Sequence, residues 1–306
     1  MWHRTELFLP LFLAAALAGP PSVQDQVAER ARAFKGVLGA AAKNLATGEW
    51  VLLNADTRFP TASTIKTAVM VEVFHQIAEG RLKDDTLVTL TDAAKVGEPV
   101  VLNGLHAGLQ LTVGDLVRLM ITVSDNTATN LLIERVGTAA VDQRLSSYGL
   151  TATRLHRPTF RDGKPDVDPE GEREFGLGVS TPREMARLLE LIALGRVVSR
   201  SACDAMIAIL REQHDRAMIP RLLPLEDGLL VANKTGEDLE KQPDARGVHR
   251  YVRADAAIVE GPGLRYVLAI FTRQGEDARA SVDNGALLAG AEIARLVHEH
   301  FARARR

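Results

Sequence analysis

Strand-forming segments lie near both ends of this chain, and a long helical stretch separates them. Residues 37–56 contain two apolar runs around the turn Ala46-Thr47-Gly48, a pattern that predicts a β-hairpin. Three more β-rich segments, LLVANKTG, RYVRADAAIVE and LRYVLAIFTR, follow residue 228 and are separated by polar or Gly-Pro turns. These strands can form one sheet only if distant parts of the chain meet, so we expect an all-helical block inserted into a single sheet.

The helical stretch has two clear parts and one irregular part. In residues 112–137 (TVGDLVRLMITVSDNTATNLLIERVG), apolar side chains recur at spacings of three and four on both sides of a polar interruption. A further helix is predicted for residues 180–195, which open with a Ser/Thr cap and place Pro182 in the first turn. Residues 156–179 show no periodicity and are rich in Gly, Pro and acidic side chains, so they predict a long loop. Such a loop is expected to form a lid or a wall of a site, and the alternative is a solvated surface loop.

The N-terminal residues 1–18 predict a cleaved signal peptide. They comprise a short basic region with His3 and Arg4, an apolar run, and a small-x-small site at residues 16–18. The apolar run is too short for a transmembrane span, so we expect no membrane anchor. The signal peptide predicts a secreted or periplasmic protein. We also expect it to be a monomer. Residues 19–306 then form one domain, with an α/β part at about 19–60 and 215–306 and a helical part at about 61–214.

Charge, cysteine content and histidine spacing limit the classes of ligand and partner that this chain is expected to bind. The formal net charge of −2 over 306 residues gives no electrostatic case for nucleic acid. The single cysteine, Cys203, cannot form an internal disulfide. The histidines are scattered without the spacing of metal ligands, and no Gly-rich phosphate loop is present, so we expect no metal and no cofactor. A small molecule or a peptide remains the expected partner.

The segment TASTIKTAVMVE (61–72) places a serine and a lysine one helical turn apart. Residues three apart on a helix lie on the same face, so Ser63 and Lys66 can meet. The remaining side chains are apolar nearly all round, which predicts a buried helix. Burial disfavours the charged lysine and favours its action as a proton acceptor for the Ser63 hydroxyl, while N–H groups at the helix start can stabilise an oxyanion.

Two further motifs follow in the chain. SDN at Ser124–Asn126 interrupts a helical pattern, and KTG at Lys234–Gly236 is predicted to end a strand, where Gly236 lets another backbone approach closely. In the order S-x-x-K, S-D-N, K-T-G, and together with TRLHRP and STPREMARLL, the sequence resembles the class A β-lactamases and the penicillin-binding proteins over nearly the whole chain after the signal peptide. The resemblance implies an α/β (α+β) fold, an antiparallel sheet flanked by helices with an inserted all-helical subdomain.

The resemblance also implies roles for the motif residues. Ser63 would be the nucleophile, Lys66 the activating base and Ser124 the relay that protonates the leaving nitrogen. The substrate, a β-lactam or an acyl-D-Ala-D-Ala peptide, would bind along the other motif residues. By the same likeness, Asn126 hydrogen-bonds the substrate amide, Lys234 and Thr235 hold its carboxylate, and Ser63 and Glu237 supply the backbone N–H groups of the oxyanion hole beside Gly236.

The sequence departs from class A at the loop glutamate that activates the hydrolytic water. After TRLHRP the expected position holds Thr159 or a neighbour. The 162–174 segment supplies other carboxylates, and nothing in the spacing selects a substitute base among them: Asp162, Asp166, Asp168, Glu170, Glu172 and Glu174. Three functions stay open: a class A-like β-lactamase with slow deacylation, a DD-peptidase or esterase-like hydrolase on the same scaffold, and a penicillin-binding protein without turnover.

Overall fold

The computed structural model describes residues 21–98 and 100–303. The predicted signal peptide lies outside the described residues. The helices are α1 (Val23–Ala33), α2 (Lys66–Ala78), α3 (Val113–Thr122), α4 (Asn126–Val136), α5 (Thr138–Ser147), α6 (Pro169–Phe175), α7 (Pro182–Ala193), α8 (Arg200–Arg211) and α9 (Gly285–Arg303). The strands are β1 (Val37–Asn44), β2 (Trp50–Leu53), β3 (Phe59–Pro60), β4 (Leu87–Thr89), β5 (Gln110–Thr112), β6 (Arg154–Leu155), β7 (Gly178–Ser180), β8 (Leu230–Leu239), β9 (Tyr251–Gly261) and β10 (Leu264–Gly275).

The main sheet joins the two ends of the chain, as the sequence predicts. Its strand order is β2-β1-β10-β9-β8, and every neighbouring pair is antiparallel. The N-terminal hairpin pairs with the last strand, with Ala41 opposite Ala269. Since the helices from α2 to α8 lie between β2 and β8 in the sequence, the predicted α/β (α+β) fold is confirmed.

Helices cover both faces of this sheet. One core combines alternate strand residues with α1 and α9, and includes Val27, Tyr266 and Phe301. The other core combines the opposite strand residues with α7 and the remaining middle helices, and includes Phe59 and Phe271. Strand segments buried on both faces read as continuous apolar runs, which explains residues 256–259 of β9 and 266–271 of β10. Within the described ranges, no helix is both long and apolar enough to span a bilayer.

Two local predictions differ from the structure. KTG is predicted to end a strand, but β8 continues to Leu239 and pairs with β9 throughout. β8 is an edge strand, and an edge strand tolerates charged side chains such as Glu237 and Asp238. The segment predicted to be irregular contains the short helix α6, which Asp168 caps by accepting a hydrogen bond from Gly171 N at 3.0 Å.

Candidate active site

Ser63 lies where a short strand turns into the buried helix α2. β3 pairs with β7, and Thr61 N donates to Gly178 O at 3.0 Å. Ala62 then adopts a left-handed backbone with φ of 43°, and a 3₁₀ turn over Ala62–Ile65 leads into α2. A non-glycine residue in this region costs about 1–3 kcal/mol. The strained turn fixes the backbone of Ser63 between the sheet and the helix.

β8 passes directly against this turn at Gly236. A Cβ atom at Gly236 would lie 2.8 Å from Ser63 N, 2.8 Å from Thr61 O and 3.0 Å from Thr64 N. The two distances of 2.8 Å are shorter than real Cβ contacts, so only glycine fits the observed approach. The sequence-based expectation of a close backbone approach at Gly236 agrees with this geometry. The strand residue that follows, Glu237, borders the same cleft as Ser63.

Lys66 is fully buried under the cleft, and its amine is held by the SDN motif. Nζ donates to Ser124 O at 2.7 Å, to Ser124 Oγ at 3.1 Å and to Asn126 Oδ1 at 2.8 Å. Burial, aided by the positive charge of Lys234 and opposed by Asp125, lowers the pKa of Lys66 well below its usual value. Among the described residues, no hydrogen bond joins Lys66 Nζ to Ser63 Oγ, although active-site hydrogen bonds often tighten only when substrate binds.

Ser124 connects the two motif lysines. Its backbone is left-handed, with φ of 60°, at the break between α3 and α4. Its hydroxyl oxygen accepts hydrogen bonds from Lys66 Nζ and from Lys234 Nζ, each at 3.1 Å. Because both lone pairs of this oxygen face the lysines, its proton is available to a third group in the cleft.

The break that carries Ser124 is anchored by Asp125. The Asp125 carboxylate caps α4 through Ala128 N at 2.8 Å, and it also accepts from Leu102 N at 2.9 Å. The carboxylate is buried. Asn126 therefore begins α4 with its side chain amide pointing at Lys66 and into the cleft.

Lys234 is also fully buried, and it contacts the Ser124 hydroxyl. Besides Ser124 Oγ, its Nζ donates to Thr235 O at 2.8 Å. Burial lowers the pKa of Lys234 to about 8, and the carboxylate of Asp255 opposes this shift. Asp255 is itself buried behind the strand, where Asn233 Nδ2 donates to it at 3.0 Å. Burial raises the pKa of Asp255 to about 7.

A cleft of about 530 Å³ opens over these groups. The predicted residues that line it are Ser63, Ser124, Asn126, Thr235, Gly236 and Glu237. Arg253, which the sequence analysis did not identify, also borders it, and its guanidinium pairs with the Glu237 carboxylate. The structure therefore brings all eight predicted site residues together, with the two lysines beneath the floor of the cleft and the other six along its walls.

Thr159 occupies the loop position where the sequence lacks a glutamate, and Asn130 holds it there. Thr159 N and Thr159 Oγ1 donate to Asn130 Oδ1 at 2.8 and 3.0 Å, and Asn130 Nδ2 donates to Thr159 O at 3.1 Å. Asn130 lies four residues after Asn126 on α4, so the two side chains share a helix face. That spacing is the sequence signal that could have identified Asn130, which the sequence analysis missed.

A second, smaller cavity of about 140 Å³ lies between the loop and β8. It also borders Ser63 and Asn126, and its other lining residues include Thr159, Asp162 and Asp238. Of the six loop carboxylates proposed from sequence, only Asp162 borders this cavity or the main cleft. The Asp162 carboxylate is not free, because Lys241 Nζ donates to it at 3.0 Å and Arg157 pairs with it.

The other loop carboxylates have structural contacts or face solvent. Glu172 is buried, with its carboxylate 3.0 Å from Arg157 Nε and 3.2 Å from Lys241 Nζ. Asp166 accepts from Thr138 Oγ1 at 2.6 Å, and Asp168 caps α6. Glu170 and Glu174 are exposed. Over residues 21–98 and 100–303, no group of three or more His, Cys, Asp or Glu side chains is arranged to hold a metal ion.

An antiparallel sheet between two helical layers, with a cleft over the start of α2, defines the scaffold of the class A β-lactamases. The chain belongs to the β-lactamase enzyme family, whose model matches residues 22–301. It is 32% identical to the β-lactamase L2 of Stenotrophomonas maltophilia over 207 residues, which is 63% of this chain and 65% of that protein. The alignment thus spans slightly less than two thirds of L2.

Two solved structures share nearly the whole fold. A β-lactamase from Sphaerobacter thermophilus is 32% identical, with a TM-score of 0.76 over 92% of this chain and 97% of that one. The protein PBP-A is 27% identical, with a TM-score of 0.76 over 92% of this chain and 96% of its own. Both the lactamases and a penicillin-binding protein are therefore similar to this chain, as the sequence motifs predict.

Proposed function

We propose that this protein is a serine hydrolase that opens β-lactam rings through an acyl-enzyme on Ser63. One observation carries the proposal: the Ser124 hydroxyl is shared by two buried lysine amines in the cleft that Ser63 borders. A lysine with a lowered pKa can be neutral and can accept a proton near neutral pH. A hydroxyl held between two lysines can pass a proton onward to a leaving group.

Acylation uses each of these groups in turn. When Lys66 is neutral, it gives up one of the three hydrogen bonds that its ammonium donates. The lone pair freed in this way takes the proton of Ser63 Oγ as that oxygen bonds to the lactam carbonyl carbon. The N–H groups of Ser63 and Glu237 receive the negative charge that develops on the carbonyl oxygen. Ser124 then donates its proton to the lactam nitrogen as the C–N bond breaks, and Lys66 returns a proton to Ser124.

Binding of the substrate would depend on Lys234 and the residues beside it. The ammonium of Lys234 and the Thr235 hydroxyl would pair with the substrate carboxylate, and Asn126 would hydrogen-bond the substrate amide. Burial of the Lys234 amine weakens its hydration, so its attraction for a carboxylate is stronger than that of an exposed lysine. The Glu237–Arg253 pair closes the adjacent wall of the cleft.

We further propose that deacylation is the slow step. The hydroxyl of Thr159 can hold a water molecule, but it cannot accept a proton from water at neutral pH. The same feature favours a second candidate, a DD-peptidase or penicillin-binding protein on this scaffold. PBP-A, which has the same fold, has been solved in mutant form as an acyl-enzyme complex with penicillin G.

The test is a comparison of substrates with the protein lacking residues 1–18. The proposed β-lactamase hydrolyses a chromogenic cephalosporin catalytically, with a burst followed by a slower steady state. A DD-peptidase would instead release D-Ala from an acyl-D-Ala-D-Ala peptide and would stop after one equivalent of cephalosporin. Hydrolysis of neither substrate, without a covalent adduct, would contradict both candidates.

We also propose that the protein is exported from the cytoplasm. The basic, apolar and small-x-small pattern of residues 1–18 supports cleavage by a signal peptidase and release outside the cytoplasm. N-terminal sequencing of the protein recovered from the periplasm or medium of an expressing bacterium tests this proposal. A mature N-terminus near residue 19 is expected, and retention of Met1 in the cytoplasm would contradict it.

A further inference from the structure

A group bound to Ser63 would border two spaces. The main cleft of about 530 Å³ and the smaller cavity of about 140 Å³ share Ser63, Asn126 and Glu237 in their walls. The smaller cavity is large enough for a few water molecules. Water in it could therefore reach an ester on Ser63 while the substrate still fills the main cleft.

The strand β8 directs one of its faces towards this region. Side chains alternate along a strand, so Lys234, Gly236 and Asp238 share a face. Lys234 reaches Ser124, and Gly236 touches the backbone of Ser63. Asp238 follows about 7 Å further along the strand, and it borders the smaller cavity. The register with β9 is continuous through this segment, so no bulge reverses the alternation.

Three acidic residues border the smaller cavity, and two of them are paired with cations. The carboxylate of Glu237 pairs with Arg253. Asp162 pairs with Lys241 and Arg157. Burial alone would raise the pKa of Asp162, but the hydrogen bond from Lys241 and the charge of Arg157 outweigh burial, and its pKa lies below the usual value. Asp162 is therefore a weaker base than a free carboxylate, and the Glu237 carboxylate is already engaged by Arg253.

The third, Asp238, differs. Its Oδ1 accepts a hydrogen bond from Leu239 N at 2.8 Å, and within residues 21–98 and 100–303 it forms no ion pair. Asp238 is an exposed residue of the edge strand, and it lines the cavity. Desolvation raises the pKa of Asp238; the Leu239 N–H group and the charges of Arg157 and Lys241 oppose this rise, and Asp162 supports it. A carboxylate with a raised pKa is a better general base near neutral pH.

We propose that Asp238 is the general base that activates water against the acyl-enzyme, a role that rests on the proposed function. Asp238 accepts one proton from a water in the cavity as the water oxygen bonds to the ester carbonyl carbon. The bond between that carbon and Ser63 Oγ then breaks, and the proton passes to Ser63 Oγ. Asp238 is left as a carboxylate, and the product is the free acid.

The test follows formation and decay of the benzylpenicillin adduct by intact-mass spectrometry in wild type and Asp238→Asn. We expect both proteins to acylate at the same rate, and the adduct of Asp238→Asn to decay about 10²-fold or more slowly. In wild type the decay rate should rise with pH through the pKa of Asp238, and in the variant this rise should disappear. Asp238→Glu should restore part of the decay rate.

The controls distinguish a general-base role of Asp238 from a structural role. Glu174→Gln removes an exposed carboxylate of α6. Its adduct should decay at the wild-type rate. Equal decay in wild type and Asp238→Asn, with normal acylation, would overturn the role of Asp238 alone. Failure of wild type to acylate would overturn the proposed function and this role together. Acylation of Asp238→Ser is measured in parallel. Loss of acylation in both Asp238→Asn and Asp238→Ser, but not in wild type, would assign Asp238 a structural role instead.

Discussion

Replacement of Gly236 by alanine tests the contact that places β8 against Ser63, the proposed nucleophile. The new Cβ would lie 2.8 Å from both Ser63 N and Thr61 O, whereas ordinary contacts begin at 3.4 Å. The atoms it meets are backbone atoms, which cannot move aside as a flexible side chain would. The strand and the start of α2 must therefore separate by roughly 0.6 Å, and a misplacement of about 1 Å can cost about 10²-fold in rate.

We expect Gly236→Ala to lower the rate of acylation by benzylpenicillin by about 10-fold to 10²-fold. Overpacking should also lower the free energy of unfolding by about 1–3 kcal/mol. Stopped-flow acylation and urea denaturation measure the two effects. Gly285→Ala is the matched control, because a Cβ there would meet its nearest atom, Asp277 Oδ2, at 3.5 Å. Wild-type acylation in Gly236→Ala would refute the inferred packing of β8 against Ser63.

Three further predictions concern the lysines. Lys66→Ala should fold normally but acylate about 10²–10⁴-fold more slowly, and unchanged acylation kinetics would remove Lys66 from the mechanism. Lys234→Ala should slow the reaction with a carboxylate-bearing lactam more than the reaction with a neutral ester, whereas equal losses would indicate a structural lysine. The pH profile of acylation should be bell-shaped: the rate rises as Lys66 loses its proton, at a pH well below the usual lysine pKa, and falls as Lys234 loses its charge near pH 8. A flat profile between pH 6 and about 9 would contradict this assignment.

The sequence predicted those parts of the fold that depend on local pattern. The turn at residues 46–48 and the apolar runs around it specified the hairpin, and the polar interruption at Ser124 separated α3 from α4. A single sheet containing strands from both ends of the chain was predicted, because such strands have few other partners. The pairing of β1 with β10 was not predicted and comes from the structure. These features need no knowledge of how distant side chains pack.

The parts that were missed depend on contacts between distant segments. An acidic pair after KTG resembles solvent-exposed sequence, and only the pairing of β8 with β9 shows that the strand continues through Glu237 and Asp238. The loop acids could not be ranked from spacing, because the ion pairs of Asp162 and Glu172 with Arg157 and Lys241 form only in the folded chain. Asp238 lies outside the segment in which the substitute base was sought, since β8 and the loop meet only in the folded chain.

The covalent state of Ser63 is the most direct test of the proposed mechanism. Intact-mass spectrometry of the wild type after mixing with benzylpenicillin should reveal one adduct with the mass of the whole penicillin, and peptide mapping should locate it on the segment that contains Ser63. Ser63→Ala, with an unchanged thermal unfolding midpoint, should form no adduct. An adduct that persists in Ser63→Ala, or that maps to another residue, would contradict the assignment of Ser63 as the nucleophile.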